Sequence, residues 1–243
     1  MKKRKLSIIG LVLLALAAVM LAVFIRQHRP AAQAPAEISE QPQTTQETAP
    51  PTEPPAPTLP LMDFSELAAQ APDVIGRLVI EGIGLDYPVV QGKDNSYYLA
   101  HTAERKADKR GALFLDYRMD PAFTGFKSII YGHYVKGGAM FGRLKELRRQ
   151  ETFDEVTEGM LYTPERTWRL EIFASALTPS VSEFYHYVFL SRSSREKHLE
   201  TLRGLSLCYR DIGVTAADRI VVLSTCSYEY EGARTVILAR LAG

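Results

Sequence analysis

Leu6 to Ile25 is a run of twenty residues without a charge, interrupted only by Ser7 and Gly10 among apolar side chains. As a helix rising about 1.5 Å per residue it would reach roughly 30 Å, the thickness of a bilayer's hydrocarbon core. Such a run does not join a water-facing domain, so it divides the chain before any other pattern is read. Four basic residues, Lys2 to Lys5, precede it, while Arg26 and Arg29 follow. That bias favours a cytoplasmic N-terminus and an external body. A cleaved secretory signal is the competing reading, with Ala32-Gln-Ala34 as a small-residue processing site, but the run exceeds the usual signal core of about 7–15 residues. We therefore read residues 1–29 as a basic tail and an uncleaved anchor that crosses the cell membrane once.

Pro30 to Pro60 holds nine prolines and four glutamates, with no lysine, arginine or aromatic residue. Nothing in it can build a core, and it reads as an extended, partly polyproline-like spacer over 30–60. The folded domain is then 61–243, a sufficient length for a single core. The formal net charge of +1 argues against nucleic acid as a partner, since phosphate-binding surfaces carry a clustered basic excess. Only two cysteines occur, Cys208 and Cys226. Two allow one disulfide and require none, so an unpaired thiol in an external domain deserves examination as a reactive group.

Within the domain most segments have strand character. Arg77–Glu81, Asp86–Val90, Ala112–Asp116, Lys127–Tyr131, Thr167–Phe173, Arg219–Leu223 and Thr235–Ala239 are short and rich in β-branched or aromatic residues. Together they predict a mainly β fold with a few helices, closed or nearly closed as a barrel. Met140, Phe141, Leu144 and Leu147 predict a helix over 138–149 with one buried face. Ser193 and Glu196 have capping-box spacing ahead of Leu199, Leu202 and Leu205, which predicts a helix over 194–206 with His198 on its exposed side. A shorter helix is expected from Asp63 to Ala71.

Two strand ends carry the reactive side chains. Leu223-Ser-Thr-Cys226 closes one apolar strand, a polar turn-like segment follows, and Arg234 opens the next. Paired as a hairpin, those strands bring Cys226 and Arg234 to one end of the sheet, where a guanidinium beside a thiol favours the nucleophilic thiolate. A buried structural cysteine is the bland alternative. Lys127-Ser-Ile-Ile-Tyr-Gly-His133 repeats the arrangement, with a histidine just past the strand, and imidazole suits proton transfer to a leaving amine near neutral pH. His28, His101, His186 and His198 are more simply surface or packing residues.

In that chain order, Tyr131-Gly-His133, Leu223-Ser-Thr-Cys226 and Arg234 resemble the signature of the sortase family. Leu85-Asp-Tyr-Pro-Val-Val-Gln91, Lys93-Asp-Asn-Ser-Tyr-Tyr-Leu99, Gly138-Ala-Met-Phe-Gly-Arg-Leu144 and the long helix-bearing stretch between 177 and 219 are similar to class B in particular. The likeness spans roughly residues 73–241. It implies an eight-stranded barrel whose groove takes a sorting motif near the C-terminus of a secreted protein. It also implies roles. Cys226 attacks a threonine carbonyl to give a thioacyl enzyme, His133 handles the proton of the departing and incoming amines, and Arg234 holds the substrate backbone and the developing oxyanion. The accepting amine would come from cell-wall peptidoglycan or a pilin, and no cofactor or metal is called for. Ser224 corresponds to a serine lining the family's pocket, while Asn95 and Tyr185 are groove candidates set against ordinary loop and packing roles. An acid one or two places after the cysteine, found in several class B enzymes, is replaced by Ser227 and Tyr228, with Glu229 as the first acid. The absence of an apolar tail after Leu241-Ala-Gly243 argues against the pilus-building class. The rival readings are a cysteine hydrolase that uses water as acceptor and a catalytically silent anchored binding module.

Overall fold

The computed structural model describes residues 59–243. The expected span at 6–25 and nearly all of the spacer lie outside the described residues. Among the described residues, no helix is long and apolar enough to cross a membrane.

After a short helix α1, Ser65–Gln70, the chain lays down β1 (Val74–Ile80), β2 (Leu85–Val90), β3 (Leu113–Leu115) and β4 (Lys127–Tyr131). A 3-10 helix, Phe141–Arg148, and helix α2, Gln150–Glu155, lead to β5 (Glu158–Tyr162) and the long β6 (Thr167–Pro179). A further 3-10 turn, Glu183–Tyr185, and helix α3, Arg192–Leu205, precede β7 (Cys208–Tyr209), β8 (Arg219–Cys226) and β9 (Ala233–Ala242).

The strands hydrogen-bond in the order β5-β1-β2-β3-β4-β8-β9-β6-β7, and β5 also pairs with β6. That last pairing closes eight strands into the expected barrel, with the two residues of β7 continuing along the edge of β6 beyond β5. Closure removes the exposed edges that an open sheet would present. Leu78, Ile80, Leu115, Ile129, Leu161, Leu170, Leu223 and Ile237 are among the core side chains with no measurable exposure. Two pairings are parallel, β2 with β3 and β4 with β8; the remainder are antiparallel.

Several elements differ from the sequence expectation. The helix expected over 138–149 is a 3-10 helix followed by a separate α-helix. Its buried residues Phe141, Leu144 and Leu147 recur every third position, and three residues per turn place them on one line. Gly142 is required at its start, because a Cβ there would collide with the Val135 carbonyl. Helix α3 is capped two residues before the expected Ser193. Ser191 and Ser194 form a reciprocal box in which the Ser191 hydroxyl accepts from the Ser194 amide at 3.1 Å and the Ser194 hydroxyl accepts from the Ser191 amide at 3.2 Å. His198, expected to be exposed, is 4% exposed and shares the inner face of α3 with Leu202. It is accommodated there because Lys127 supplies its ring with a polar partner at 3.0 Å. Strands β5 and β7 had no clear sequence signal: β5 contains Glu158 and Gly159, and β7 is two residues long.

Candidate active site

Parallel pairing of β4 with β8 sets the geometry of the site. Tyr131 stands opposite Ser224, and the ladder runs on through a 3.1 Å hydrogen bond from the Gly132 amide to the Ser224 carbonyl. Two residues further along each chain lie His133 and Cys226. Parallel strands end at the same rim, so the imidazole and the thiol reach it together although 93 positions separate them (226 minus 133). Gly132 makes the approach feasible, since a side chain there would collide with Leu113 and Phe141 in the wall behind. On the other side of β8, Cys226 is the direct antiparallel partner of Arg234. Cross-strand partners stand on the same face of a sheet. The three residues thus lie at or just past the ends of three neighbouring strands at one rim, each half-buried.

The His133 ring is oriented by its Nε2, which donates to the Leu99 carbonyl at 2.7 Å. A carbonyl only accepts, so Nε2 carries a proton and Nδ1 is the nitrogen left for further chemistry. Arg234 Nη1 donates to the Ala233 carbonyl at 2.9 Å, which leaves the rest of its fork available. Cys226 and Cys208 are both free thiols. Cys208 is buried in the core, its Sγ 3.5 Å from the Arg148 carbonyl, and takes no part in the cleft.

A cleft of about 380 Å³ runs over this rim, lined by Cys226, His133, Arg234, Ser224, Asn95 and Tyr185 among others. All six sequence-derived candidates therefore meet in one cavity. The Tyr185 hydroxyl and Ser224 Oγ are 2.8 Å apart, and the Tyr185 ring stacks on Tyr131 with centroids 6.5 Å apart and planes 13° from parallel. Burial pushes the Tyr185 hydroxyl above its ordinary pKa, so it stays protonated and available as a donor. Asn95 Oδ1 accepts from the Tyr117 amide at 3.1 Å, tying its loop to the end of β3.

Behind the cleft, Asp116 has no exposure and is held by Arg118 at 2.6 Å and by the Tyr131 hydroxyl at 3.2 Å. Burial would raise its carboxyl, but hydrogen bonds from Arg118 and Asn95 outweigh that and hold it below the usual range. Arg118 in turn donates to the Tyr187 hydroxyl at 2.9 Å and sits over that ring. Sequence reasoning did not single out Leu99, Phe114, Arg118, Tyr131 or Ser180 as cleft residues. Tyr131 alone had a usable signal, because two-residue periodicity puts it on the face of His133. Glu229 is turned away, bound to the Ser227 hydroxyl and to Arg148. The Ser227 hydroxyl, helped by Arg148, draws its carboxyl down to about 2.

A larger cavity of about 460 Å³ opens beside Trp168, Arg166 and Arg219. Arg219 begins β8 and Cys226 ends it, so this cavity lies at the opposite end of the barrel and holds no thiol or imidazole. Size points there and chemistry points to the smaller cleft; the reactive groups decide for the latter. Among the described residues, no group of three or more His, Cys, Asp or Glu is arranged to hold a metal ion.

The domain that carries this cleft is similar to known proteins. The family model for the Sortase domain matches residues 78–242. Sortase B of Listeria monocytogenes is 33% identical over 174 residues, covering 70% of this chain and 70% of that protein. The X-ray structure of Clostridium perfringens Sortase B superposes with a TM-score of 0.70 at 28% identity, over 74% of this chain and 100% of that one. A Staphylococcus aureus sortase B–substrate complex gives 0.69 at 28% identity, over 73% and 83%.

Proposed function

Because the chain belongs to the sortase family of cysteine transpeptidases, and within it to class B, we propose that Cys226, His133 and Arg234 carry out transpeptidation on a sorting motif laid in the cleft. The observation that carries this reading is the register itself, with Cys226 opposite Arg234 and His133 level with Cys226 on the parallel strand. In this scheme Sγ attacks the carbonyl carbon of a threonine in the motif and forms a tetrahedral oxyanion. The guanidinium of Arg234 stabilises that charge, and a preorganised donor acts most where charge develops. His133, whose Nε2 proton is held by Leu99, takes the Cys226 thiol proton on Nδ1 and delivers it to the departing amine as the C–N bond breaks. A thioacyl enzyme remains. An incoming amine then gives its proton to His133 and displaces the thiolate, forming a new amide. Ser224, Tyr185 and Asn95 hold the motif along the groove.

The substrate is a secreted protein bearing the motif, and the acceptor is an amine of cell-wall peptidoglycan or of a pilin. Residues 6–25 anchor the enzyme, with its N-terminus in the cytoplasm and its catalytic domain outside; the uncharged run and its basic flank support this. The test is mass spectrometry of products from a library of sorting-motif peptides, with and without a small amine. Cleavage after threonine with the amine joined to the new C-terminus is expected. Products that carry only water whatever the amine concentration would replace transpeptidase with hydrolase.

A further inference from the structure

We infer that Lys127 is a positioning residue for the substrate groove: from the barrel wall it fastens the segment that carries Tyr185. The inference rests on the proposed role of Tyr185 in holding the motif. Lys127 opens β4 and is only 4% exposed, and among the described residues no carboxylate lies within ion-pair distance of it. An unpaired buried ammonium is costly, and an apolar side chain would fill the same space more cheaply. What the nitrogen does there is donate, to the His186 carbonyl at 2.9 Å and to His198 Nε2 at 3.0 Å. Two lysine donors thus join the first strand of the catalytic wall to both parts of the covering segment, the stretch after Tyr185 and the inner face of α3.

The segment needs such an anchor. Between β6 and α3 its regular structure is one 3-10 turn, Glu183–Tyr185, and Val181 and Leu190 point into solvent. At its start the Ser180 amide donates to the Gly232 carbonyl at 2.9 Å, and past that point its other ties are side-chain contacts: buried Phe184, Phe189 against Phe126 at 4.8 Å, and Tyr187 with Arg118. The Lys127 bond to the His186 carbonyl is the backbone tie next to Tyr185, whose hydroxyl must stay 2.8 Å from Ser224 to shape the groove. Glu183 Oε2 lies 3.8 Å from His198 Nδ1 and completes the set of polar groups around the lysine. Both an ammonium and a neutral amine can donate to these acceptors, so the tie does not depend on the lysine's charge.

The experiment uses the full-length protein in detergent micelles. Lys127→Met is expected to raise the KM for a sorting peptide on the order of tenfold, with kcat and the rate of Cys226 alkylation by a small reagent nearly unchanged. Amide exchange in residues 182–190 should quicken. In a Tyr185→Phe background the same substitution should add little further to KM, because the two act through one group. An equal KM effect in both backgrounds, or unchanged exchange in 182–190, would overturn the inference. Tyr185→Phe with wild-type KM would instead defeat the groove role of Tyr185, leaving the exchange measurement to judge the anchor. If Lys127→Met fails to fold, His198→Gln, which keeps an acceptor for the lysine, should retain KM while His198→Leu raises it; equal behaviour of those two variants counts against the anchor.

Discussion

The wall that carries Cys226, Arg234 and His133 and the segment that covers it are held by different kinds of bond. Strands β4, β8 and β9 are joined by continuous backbone ladders, from Lys127 opposite Ile220 to Tyr131 opposite Ser224, and from Arg219 opposite Leu241 to Cys226 opposite Arg234. Past Ser180, whose amide bonds the Gly232 carbonyl, the covering segment is joined to that wall through side chains: Lys127 to His186, Tyr185 to Ser224, Arg118 to Tyr187. A ladder fixes position to a fraction of a residue step, whereas side-chain ties can lengthen or exchange partners. The reacting groups therefore sit on the part that cannot shift, and Tyr185, the substrate-holding group of the cover, on the part that can, the division expected when a rigid scaffold presents variable loops. Substitutions in the wall trio should accordingly lower kcat, and substitutions in the cover should raise KM.

The largest expected effect is Cys226→Ala. Turnover should vanish while circular dichroism stays unchanged, because the thiol is at a half-buried strand end and its loss leaves little cavity. Cleavage by that variant would remove the thiol from the mechanism. Next is Arg234→Lys, which retains the charge and loses the planar fork; turnover should fall on the order of 10²–10³-fold, as for loss of an oxyanion donor. Near-normal kcat would leave Arg234 a purely electrostatic role. Ser224→Ala should raise KM a few-fold, about what one neutral hydrogen bond contributes, and leave kcat close to wild type. A fall in kcat with unchanged KM would mean that Ser224 serves the reacting groups of its own strand rather than the Tyr185 contact of the cover.

The smallest effect concerns stability rather than rate. Burial draws Lys127 down from 10.5 to about 7. Between those values the unfolded chain holds a proton that the folded chain has given up, so this group makes stability rise with pH from about 7 to 10.5. Below about pH 7 both states are protonated and its full destabilising effect is present. Denaturant unfolding of wild type and Lys127→Met across this window should therefore converge toward high pH, with the variant the more stable at neutral pH. Parallel curves would mean that the lysine is ionised normally in the folded state. Cys208→Ala, by contrast, should leave kcat and KM alike untouched.

Strand composition alone placed seven of the barrel's strands, since β-branched and aromatic runs mark a pleated, half-buried surface wherever they occur. The residue types of the site were equally legible, because a thiol, an imidazole and a guanidinium at strand ends have few other uses in common. Local signals failed where packing decides. Spacing of 141, 144 and 147 suits either helix type, and the close approach of Gly142 to Val135 selected the tighter one. His198 looked like an exposed helical residue because nothing near it in sequence reveals Lys127, 71 positions away (198 minus 127). What the chain determined by itself was which groups are present and which segments are strands. That β4 lies parallel to β8, bringing His133 level with Cys226, was decided only by tertiary structure. Barrel closure sets strand neighbours through burial of the whole interior, a condition that no window of sequence contains.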